Sequence, residues 1–217
     1  MLKKRLIATI LLKNKYVVQS ISFNKFLPIG SLEIVLQFLE KWDIDEVIIL
    51  DLDASKNKRT INFNLLKSSS RKIFVPLTVG GGISSFDDAK NAFHNGADKV
   101  SINSSFLSNN NFIQQVVNDF GSQSVILSAD VRIENNAEYY VYANSGKNKI
   151  ISLKKWIKQA ENLGAGELLI NSIINDGMKN GYDTCLYQKI TELTKLPIIA
   201  LGGAGSVIHL VDLFQNT

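Results

Sequence analysis

The sequence FVPLTVGGGISS at residues 74–85 returns in altered form as KLPIIALGGAGS at residues 195–206. In each copy a short apolar run is followed by consecutive glycines and then by a serine. Such a run is typical of a strand buried on both faces, and serine is a common residue just before a helix. The pattern therefore predicts a strand, a glycine turn and a helix that occur twice.

Other matches at a similar spacing extend this repeat. Gly81 aligns with Gly203, which lies 122 residues later. The opening run LIATILLK, residues 6–13, can be placed on VILSADVR, residues 125–132, at an offset of 119 residues. Matches that share nearly one offset indicate two homologous halves of about 120 residues each.

Short apolar runs alternate with segments of helical spacing along the whole chain, which predicts parallel βα units. The expected strands are Leu6–Leu12, Glu46–Leu50, Ile73–Val79, Lys99–Ile102, Ser124–Ala129, Glu167–Ile170 and Pro197–Leu201. Trp42 and Trp156 fall on apolar faces of two expected helices, so we expect both side chains in the core.

Eight βα units close a (β/α)8 TIM barrel, and each half of this chain would supply four of them. The counterpart of the fourth run, residues 97–103, would begin near residue 219, beyond Thr217. We therefore expect an α/β barrel of two half-barrel repeats that lacks the eighth βα unit. The expected domain organisation is one C-terminally incomplete barrel domain over residues 1–217.

Composition excludes several classes of function. The chain has 24 lysines and arginines against 20 aspartates and glutamates, and its mild excess of positive charge is scattered. This favours a solvated surface over a nucleic-acid site. One cysteine and two histidines exclude a disulfide and a Cys/His metal cluster, so no metal and no cofactor are expected. No apolar stretch reaches the length of a membrane span, which predicts a cytoplasmic protein without membrane contact.

The carboxyl ends of barrel strands carry the active site in this fold class. The glycines after strands three and seven can present backbone N–H groups to phosphates, so two repeat-related sites would bind a ligand with a phosphate at each end. The alternative is that these glycines only make tight turns. The candidate phosphate-binding residues are Gly81, Gly82, Asn103, Ser104, Asp176, Gly177, Gly202 and Gly203.

Three acids follow strands and are candidates for general acid or base: Asp51 and Asp53 after strand two, and Asp130 after strand five. For Asp51 and Asp53, the alternative is a carboxylate that caps a turn or orients a neighbour. Charged residues of alternating sign lie at or near strand starts, either as a ring of ion pairs or as ordinary surface charges: Arg5, Glu46, Lys99 and Glu167.

The motifs LTVGGGI, GADKVSIN, GSQSV, NDGMKNGYD and GGAGS, with the opening KRLIA, resemble the cyclase subunit of imidazole glycerol phosphate synthase, the HisF family. The resemblance implies a heterodimer with a glutaminase (HisH-type) subunit. Ammonia would enter the bottom of the barrel through a gate formed by Arg5, Glu46, Lys99 and Glu167, and Asp98 would face the partner. At the top, ammonia would react with a bis-phosphate ribotide to give imidazole glycerol phosphate in histidine biosynthesis.

The family uses two catalytic aspartates, and only one of them is matched here. Asp130 matches the aspartate on strand five, whereas Leu11 stands at the position on strand one. Gln19 and Leu201 also depart from the family pattern. Three functions remain open: the cyclase reaction, a paralogue that delivers ammonia to another acceptor such as an amidino sugar of a surface polysaccharide, and a non-catalytic subunit that docks a glutaminase.

Overall fold

The computed structural model describes residues 4–108, 110–135 and 137–217. The strands in these residues are β1 (Ile7–Lys13), β2 (Tyr16–Ile21), β3 (Lys25–Gly30), β4 (Glu46–Asp51), β5 (Leu77–Gly80), β6 (Lys99–Ile102), β7 (Val125–Ile133), β8 (Tyr139–Ala143), β9 (Asn148–Ser152), β10 (Glu167–Ser172) and β11 (Ile198–Leu201). The α-helices are α1 (Leu32–Leu39), α2 (Phe63–Ser70), α3 (Phe86–His94), α4 (Ser104–Ser108), α5 (Asn111–Phe120), α6 (Leu153–Asn162), α7 (Thr184–Leu193) and α8 (Val207–Asn216). Two short 3₁₀ helices lie at Glu40–Trp42 and Ser122–Ser124.

The chain divides into two compact units, of which the first runs to Gln19 and from Leu27 to Ile126. Its strands β1, β4, β5 and β6 pair in parallel in the order β6-β5-β4-β1, and β2 pairs antiparallel with β1. The side chains of Ile48, Val79 and Val100 are completely buried. Burial on both faces explains why these strands read as continuous apolar runs.

The second unit comprises Ser20–Phe26 and Leu127–Thr217. Its strands follow the order β11-β10-β7-β8-β9, in which β10 and β11 are parallel and β8 pairs antiparallel with both β7 and β9. Trp156 and Tyr187 are its largest fully buried side chains. The Tyr187 hydroxyl lies 2.9 Å from the carbonyl oxygen of Leu201, so a helix is tied to the end of β11.

The two units repeat one order of elements: a strand that continues into an antiparallel hairpin, then a helix, and then alternating strands and helices. The starts of β4 and β10, residues 46 and 167, are 121 positions apart, as are those of β5 and β11, residues 77 and 198. The α/β class and the predicted repeat are confirmed. The predicted domain organisation, one barrel over residues 1–217, stays a prediction.

The predicted alignment of Gly81 with Gly203 is wrong by one residue. Pro76 and Pro197 each precede a four-residue strand, so the glycine turns begin at equivalent points. At the offset of 121 residues, Gly81 corresponds to Gly202 and Gly82 corresponds to Gly203.

Two other expectations fail for local reasons. Strand three begins at Leu77 rather than Ile73, because Pro76 has no N–H to donate and Phe74 is 84% exposed. Trp156 is buried as expected, but Trp42 is 68% exposed. Trp42 lies in a 3₁₀ helix that follows α1, and this change of helical period turns its side chain away from the apolar face.

Candidate functional site

The glycine turns after β5 and β11 have the same construction. Gly82 has φ +71°, and a Cβ there would overlap the carbonyl oxygen of Arg59. Gly203 has φ +108°, and a Cβ there would overlap the carbonyl oxygen of Gly181. Both positions therefore require glycine for conformation and for close approach of a second loop. A backbone hydrogen bond holds each turn. In the first unit the N–H of Ile61 donates to the carbonyl oxygen of Gly81 at 3.1 Å, and in the second unit the N–H of Gly181 donates to the carbonyl oxygen of Gly203 at 2.9 Å.

A cavity of about 510 Å³ opens beside the glycine turn of the first unit. Its walls carry hydroxyl groups and two cationic side chains, which suit a phosphate group. Two of the predicted phosphate-binding residues, Gly82 and Ser104, lie together in this wall. Asn103 is half-buried in the turn before α4, and Gly81 is not part of the wall. The lining residues are Ser55, Lys58, Arg59, Thr60, Gly82, Ser84, Asp88, Ser104, Ser105 and Ser108.

A side chain in the first turn of the following helix holds each glycine loop. In the first unit, Asp88 on α3 accepts hydrogen bonds from the backbone N–H and the hydroxyl of Ser84, both at 3.0 Å. In the second unit, Nδ1 of His209 on α8 accepts the N–H of Gly205 at 3.2 Å. Asp88 and His209 are 121 residues apart, so they occupy equivalent positions of the repeat.

The carboxylates of Asp51 and Asp53 are both occupied by internal partners. Arg59 donates two hydrogen bonds to Asp51, at 2.6 and 3.2 Å. Asp53 accepts from Lys13 Nζ at 2.9 Å and from the Asn14 backbone at 2.8 Å. Burial opposes ionisation of Asp53, but these hydrogen bonds and the nearby positive charges outweigh it and lower its pKa. The geometry favours the alternative that both residues orient loops.

The pair of positions that the family uses for proton transfer is unequal here. Asp130 is half-buried on β7, where its Cα lies opposite that of Tyr142 in β8. Leu11 is half-buried on β1, with Val18 on one side and Leu50 on the other. A leucine side chain has no proton to transfer, so of these two positions only Asp130 offers acid–base chemistry.

Asp176, a predicted phosphate-binding residue, anchors a turn. Its carboxylate accepts hydrogen bonds from the Ser20 hydroxyl at 2.5 Å and from Phe23 N at 3.2 Å, while its carbonyl oxygen accepts from Ser22 N at 2.9 Å. Gly177 packs directly on the Ser20 carbonyl. Burial raises the pKa of Asp176, although both hydrogen bonds oppose that shift. Asp176 therefore supports this turn, and its predicted role in binding phosphate stays a prediction.

Three of the four predicted gate residues form one ion cluster in the first unit. Glu46, at the start of β4, is 4% exposed and pairs with Arg5 and with Lys99, whose Nζ is 3.1 Å from Oε2. Glu167 occupies the equivalent first position of β10 in the second unit and is 7% exposed. The ion-pair interpretation therefore holds for Arg5, Glu46 and Lys99, and buried acids recur at equivalent positions.

Asp98, the predicted partner-facing residue, is exposed but has an internal role as well. Its Oδ2 accepts the N–H of Leu77 and its own N–H donates to the Leu77 carbonyl, both at 2.8 Å. Asp45 makes the same reciprocal pair with Leu6, at 2.7 and 3.0 Å. Aspartate before a strand thus fixes the start of the neighbouring strand.

Asn171, a residue of β10 that was not among the predicted site residues, lies against the second glycine turn. It is 8% exposed, and within the described part of the chain its Oδ1 atom has no hydrogen-bond partner. A Cβ at Gly202 would lie 2.9 Å from this oxygen. His209 and Arg59 were also missed as parts of the loops, although the repeat offset relates His209 to Asp88.

Parallel βα units in two equivalent halves, with a glycine turn at the carboxyl end of a strand in each, define an α/β protein built from a repeated βα arrangement. Comparison with known proteins narrows the class. A family model described as histidine biosynthesis protein matches residues 5–217. The chain belongs to this family and, within it, to the HisF-type cyclase subunits of imidazole glycerol phosphate synthase.

Several relatives support this assignment. A protein of Vibrio vulnificus (strain YJ016), provisionally named imidazole glycerol phosphate synthase subunit hisF2, is 39% identical over 98% of this chain and 78% of its own length. Imidazole glycerol phosphate synthase subunits HisF of Lactococcus lactis subsp. cremoris (strain MG1363) and Exiguobacterium sp. (strain ATCC BAA-1283 / AT1b) are 39% and 38% identical, over the whole chain and 85% of their own length. Among the described residues, every helix is too short or too polar to cross a membrane.

Proposed function

We propose that the protein is a cyclase subunit that uses ammonia from a glutaminase partner to convert phosphoribulosyl-formimino aminoimidazole carboxamide ribotide to imidazole glycerol phosphate and aminoimidazole carboxamide ribotide. The observation that carries the proposal is the pair of equivalent glycine turns, at Gly82 and Gly203. The ribotide has two phosphates, and each turn supplies backbone N–H groups beside a helix N-terminus, which favours a bound anion.

Asp130 is the proposed acid–base residue of the reaction. Its carboxyl group would donate or accept the proton that the ring closure and the cleavage of the ribotide require. Gly82, Asn103 and Ser104 would bind one phosphate, and Gly202 and Gly203 the other. Gly177 would contribute through its N–H group, with Asp176 holding the adjacent turn.

The cluster of Arg5, Glu46 and Lys99 is the proposed entry for ammonia, with Glu167 as its fourth member. A glutaminase (HisH-type) subunit would dock at this end, near Asp98, in a cytoplasmic heterodimer. Supporting observations are the burial of both acids at the starts of their strands and the subunit status of the HisF relatives.

A test of the cyclase proposal uses ammonium salt in place of glutamine, so that no partner is needed. Consumption of the ribotide is measured with the purified natural chain, with Leu11→Asp, and with Leu11→Asn. The asparagine variant is the uncharged control, because asparagine is similar in size to aspartate. Turnover by the natural chain, abolished in Asp130→Asn, is expected. Losing a positioned acid or base costs about 10²–10⁴ in rate. No turnover by the natural chain, with circular dichroism showing a folded protein, would contradict the proposal.

A second function is favoured by Leu11 itself: delivery of ammonia to an acceptor other than the ribotide. The ion cluster and the glycine turns are consistent with this function, and of the two family acids the one on strand one is replaced. Under it, Leu11→Asp would gain ribotide turnover that the natural chain lacks, whereas Leu11→Asn would not. If the natural chain, Leu11→Asp and Leu11→Asn are all folded and none consumes the ribotide, the result would instead favour a non-catalytic subunit that docks a glutaminase.

A further inference from the structure

The two glycine loops differ in the charge of the side chain that holds them. Asp88 places a carboxylate beside the first loop, where Ser84 N–H is its partner at 3.0 Å. His209 places an imidazole beside the second loop, where Gly205 N–H is its partner at 3.2 Å. A bound phosphate would therefore meet a negative neighbour in the first unit and an aromatic nitrogen base in the second. Like charges at such short range oppose binding.

The position of the imidazole is fixed by the loop that faces it. A Cβ at Gly181 would lie 3.7 Å from the His209 ring, so the ring rests over this glycine. Gly181 in turn donates its N–H to the carbonyl of Gly203 at 2.9 Å. The ring, Gly181 and the turn at Gly203 thus form one packed arrangement at the start of α8, a helix of ten residues.

An independent observation indicates that this turn receives a ligand. The Oδ1 atom of Asn171 is buried against Gly202 without a hydrogen-bond partner among the described residues. A buried acceptor left without a hydrogen bond destabilises the folded state. A ligand with a hydroxyl group near its phosphate would satisfy this oxygen, whereas a phosphate monoester without a hydroxyl group on its carbon chain, such as propyl phosphate, would leave it unpaired.

We propose that His209 is the positioning residue of a phosphate subsite on the Gly202–Gly205 loop, and that Asn171 Oδ1 accepts a hydroxyl hydrogen of the same phosphate monoester. The neutral acceptor at position 209 holds the loop without placing a negative charge beside the phosphate. The inference rests on the proposed phosphate role of this loop. It adds that the two repeat-related subsites are unequal, and that the second is selective for a hydroxyl-bearing phosphate monoester.

The test measures binding of glycerol 3-phosphate and of propyl phosphate, which has no hydroxyl group on its carbon chain, to the full chain by calorimetric titration at one fixed neutral pH. His209→Asp is the decisive variant, because Asp88 shows that an aspartate at this position still accepts the loop N–H. Any loss of affinity then reports the added charge. His209→Gln keeps a neutral acceptor and is the matched control. Asn171→Leu removes the buried oxygen with little change in size.

We expect His209→Asp to weaken both ligands by about tenfold, since like charges brought together cost several-fold to many-fold in affinity. His209→Gln is expected to stay within about threefold of the natural chain. Asn171→Leu should weaken glycerol 3-phosphate to the level of propyl phosphate and leave propyl phosphate unchanged. A folded His209→Asp variant that binds both ligands like the natural chain would overturn the inference, and so would an absence of binding by the natural chain.

The chain has two histidines, which gives a second measurement. Glycerol 3-phosphate should shift the imidazole proton resonances of His209 and leave those of His94, in the last turn of α3, unchanged. Equal shifts or no shift at saturating ligand would contradict the assignment. These readouts need no ribotide turnover. Binding with the expected variant pattern but without turnover would refute the cyclase proposal alone, and turnover without the variant pattern would refute this inference alone.

Discussion

Replacing Asp53 with asparagine distinguishes a proton-transfer role from a role in supporting a turn. The carboxylate receives Lys13 Nζ at 2.9 Å and Asn14 N at 2.8 Å. Hydrogen bonds to a charged group contribute about 1.5–3 kcal/mol each. The Lys13 side chain is 31% exposed, so its share is reduced by solvent, and an asparagine oxygen can still accept one hydrogen bond. We expect Asp53→Asn to lower the free energy of unfolding by about 2 kcal/mol at neutral pH.

The pH dependence of this loss follows from the direction of the pKa shift. The pKa of Asp53 is lowered in the folded chain, so its stabilisation is complete above the ordinary aspartate value of about 4. It is lost as the pH falls through the lower, folded value. The difference between the natural chain and Asp53→Asn should therefore shrink on acidification below about pH 4.

Urea unfolding followed by circular dichroism at neutral and acidic pH measures both effects. Asp119→Asn, an exposed substitution on α5, is the control and should change little at either pH. An Asp53→Asn loss that is below about 0.5 kcal/mol, or equal at both pH values, would refute the account. So would a loss of ribotide turnover that exceeds the loss of folded protein, because that result would make Asp53 a catalytic group.

Three further predictions test other sites. Glu46→Gln should lower the free energy of unfolding in urea by about 2 kcal/mol, because two cations lose a buried partner. Glu33→Gln breaks an exposed ion pair and should have no measurable effect. Equal losses in the two variants would contradict the argument from burial. Gly82→Ala should lower the melting temperature and weaken phosphate binding, because both its φ of +71° and the nearby Arg59 carbonyl oppose a Cβ. A Cβ at Gly30 would meet open space, so Gly30→Ala should change little in either assay. The pKa of Asp176 is raised in the folded chain, so the free energy of unfolding of the natural chain should fall as the pH rises from about 4 through the folded value. Asp176→Asn should make the free energy of unfolding depend less on pH across this range. An unchanged pH dependence would contradict the raised pKa of Asp176.

Much of the fold was predictable because buried parallel strands leave a strong signal. Six of the seven predicted strands begin within one residue of their observed starts, since a strand covered on both faces must be apolar throughout. The exception is Ile73–Val79, because the apolar residues 73–76 that precede β5 have the composition of a strand although they lie outside it. The hairpins β2–β3 and β8–β9 were missed; β3 is largely exposed, and Pro28 within it argues against a strand.

The candidate site was predictable as a set of positions but not as a set of roles. Spacing alone placed Gly82 and Gly203 at the turns. It could not show that Asp51 is held by Arg59 or that Asp176 faces Ser20, because these partners are 8 and 156 positions away. The side chains in the first turns of α3 and α8 escaped notice for a different reason: Asp88 and His209 differ in chemistry although they do the same work.

The second compact unit includes seven residues, Ser20–Phe26, that precede the second copy of the repeat in the chain. A fragment cut at the repeat boundary, beginning at Leu127, would leave the buried carboxylate of Asp176 without the Ser20 hydroxyl and the Phe23 N–H. Gly177 would also lose the backbone on which it packs. The repeat and the compact units therefore have different borders in this protein, and we expect a half-length fragment that begins at Leu127 to be more stable when the hairpin segment is supplied as a separate peptide.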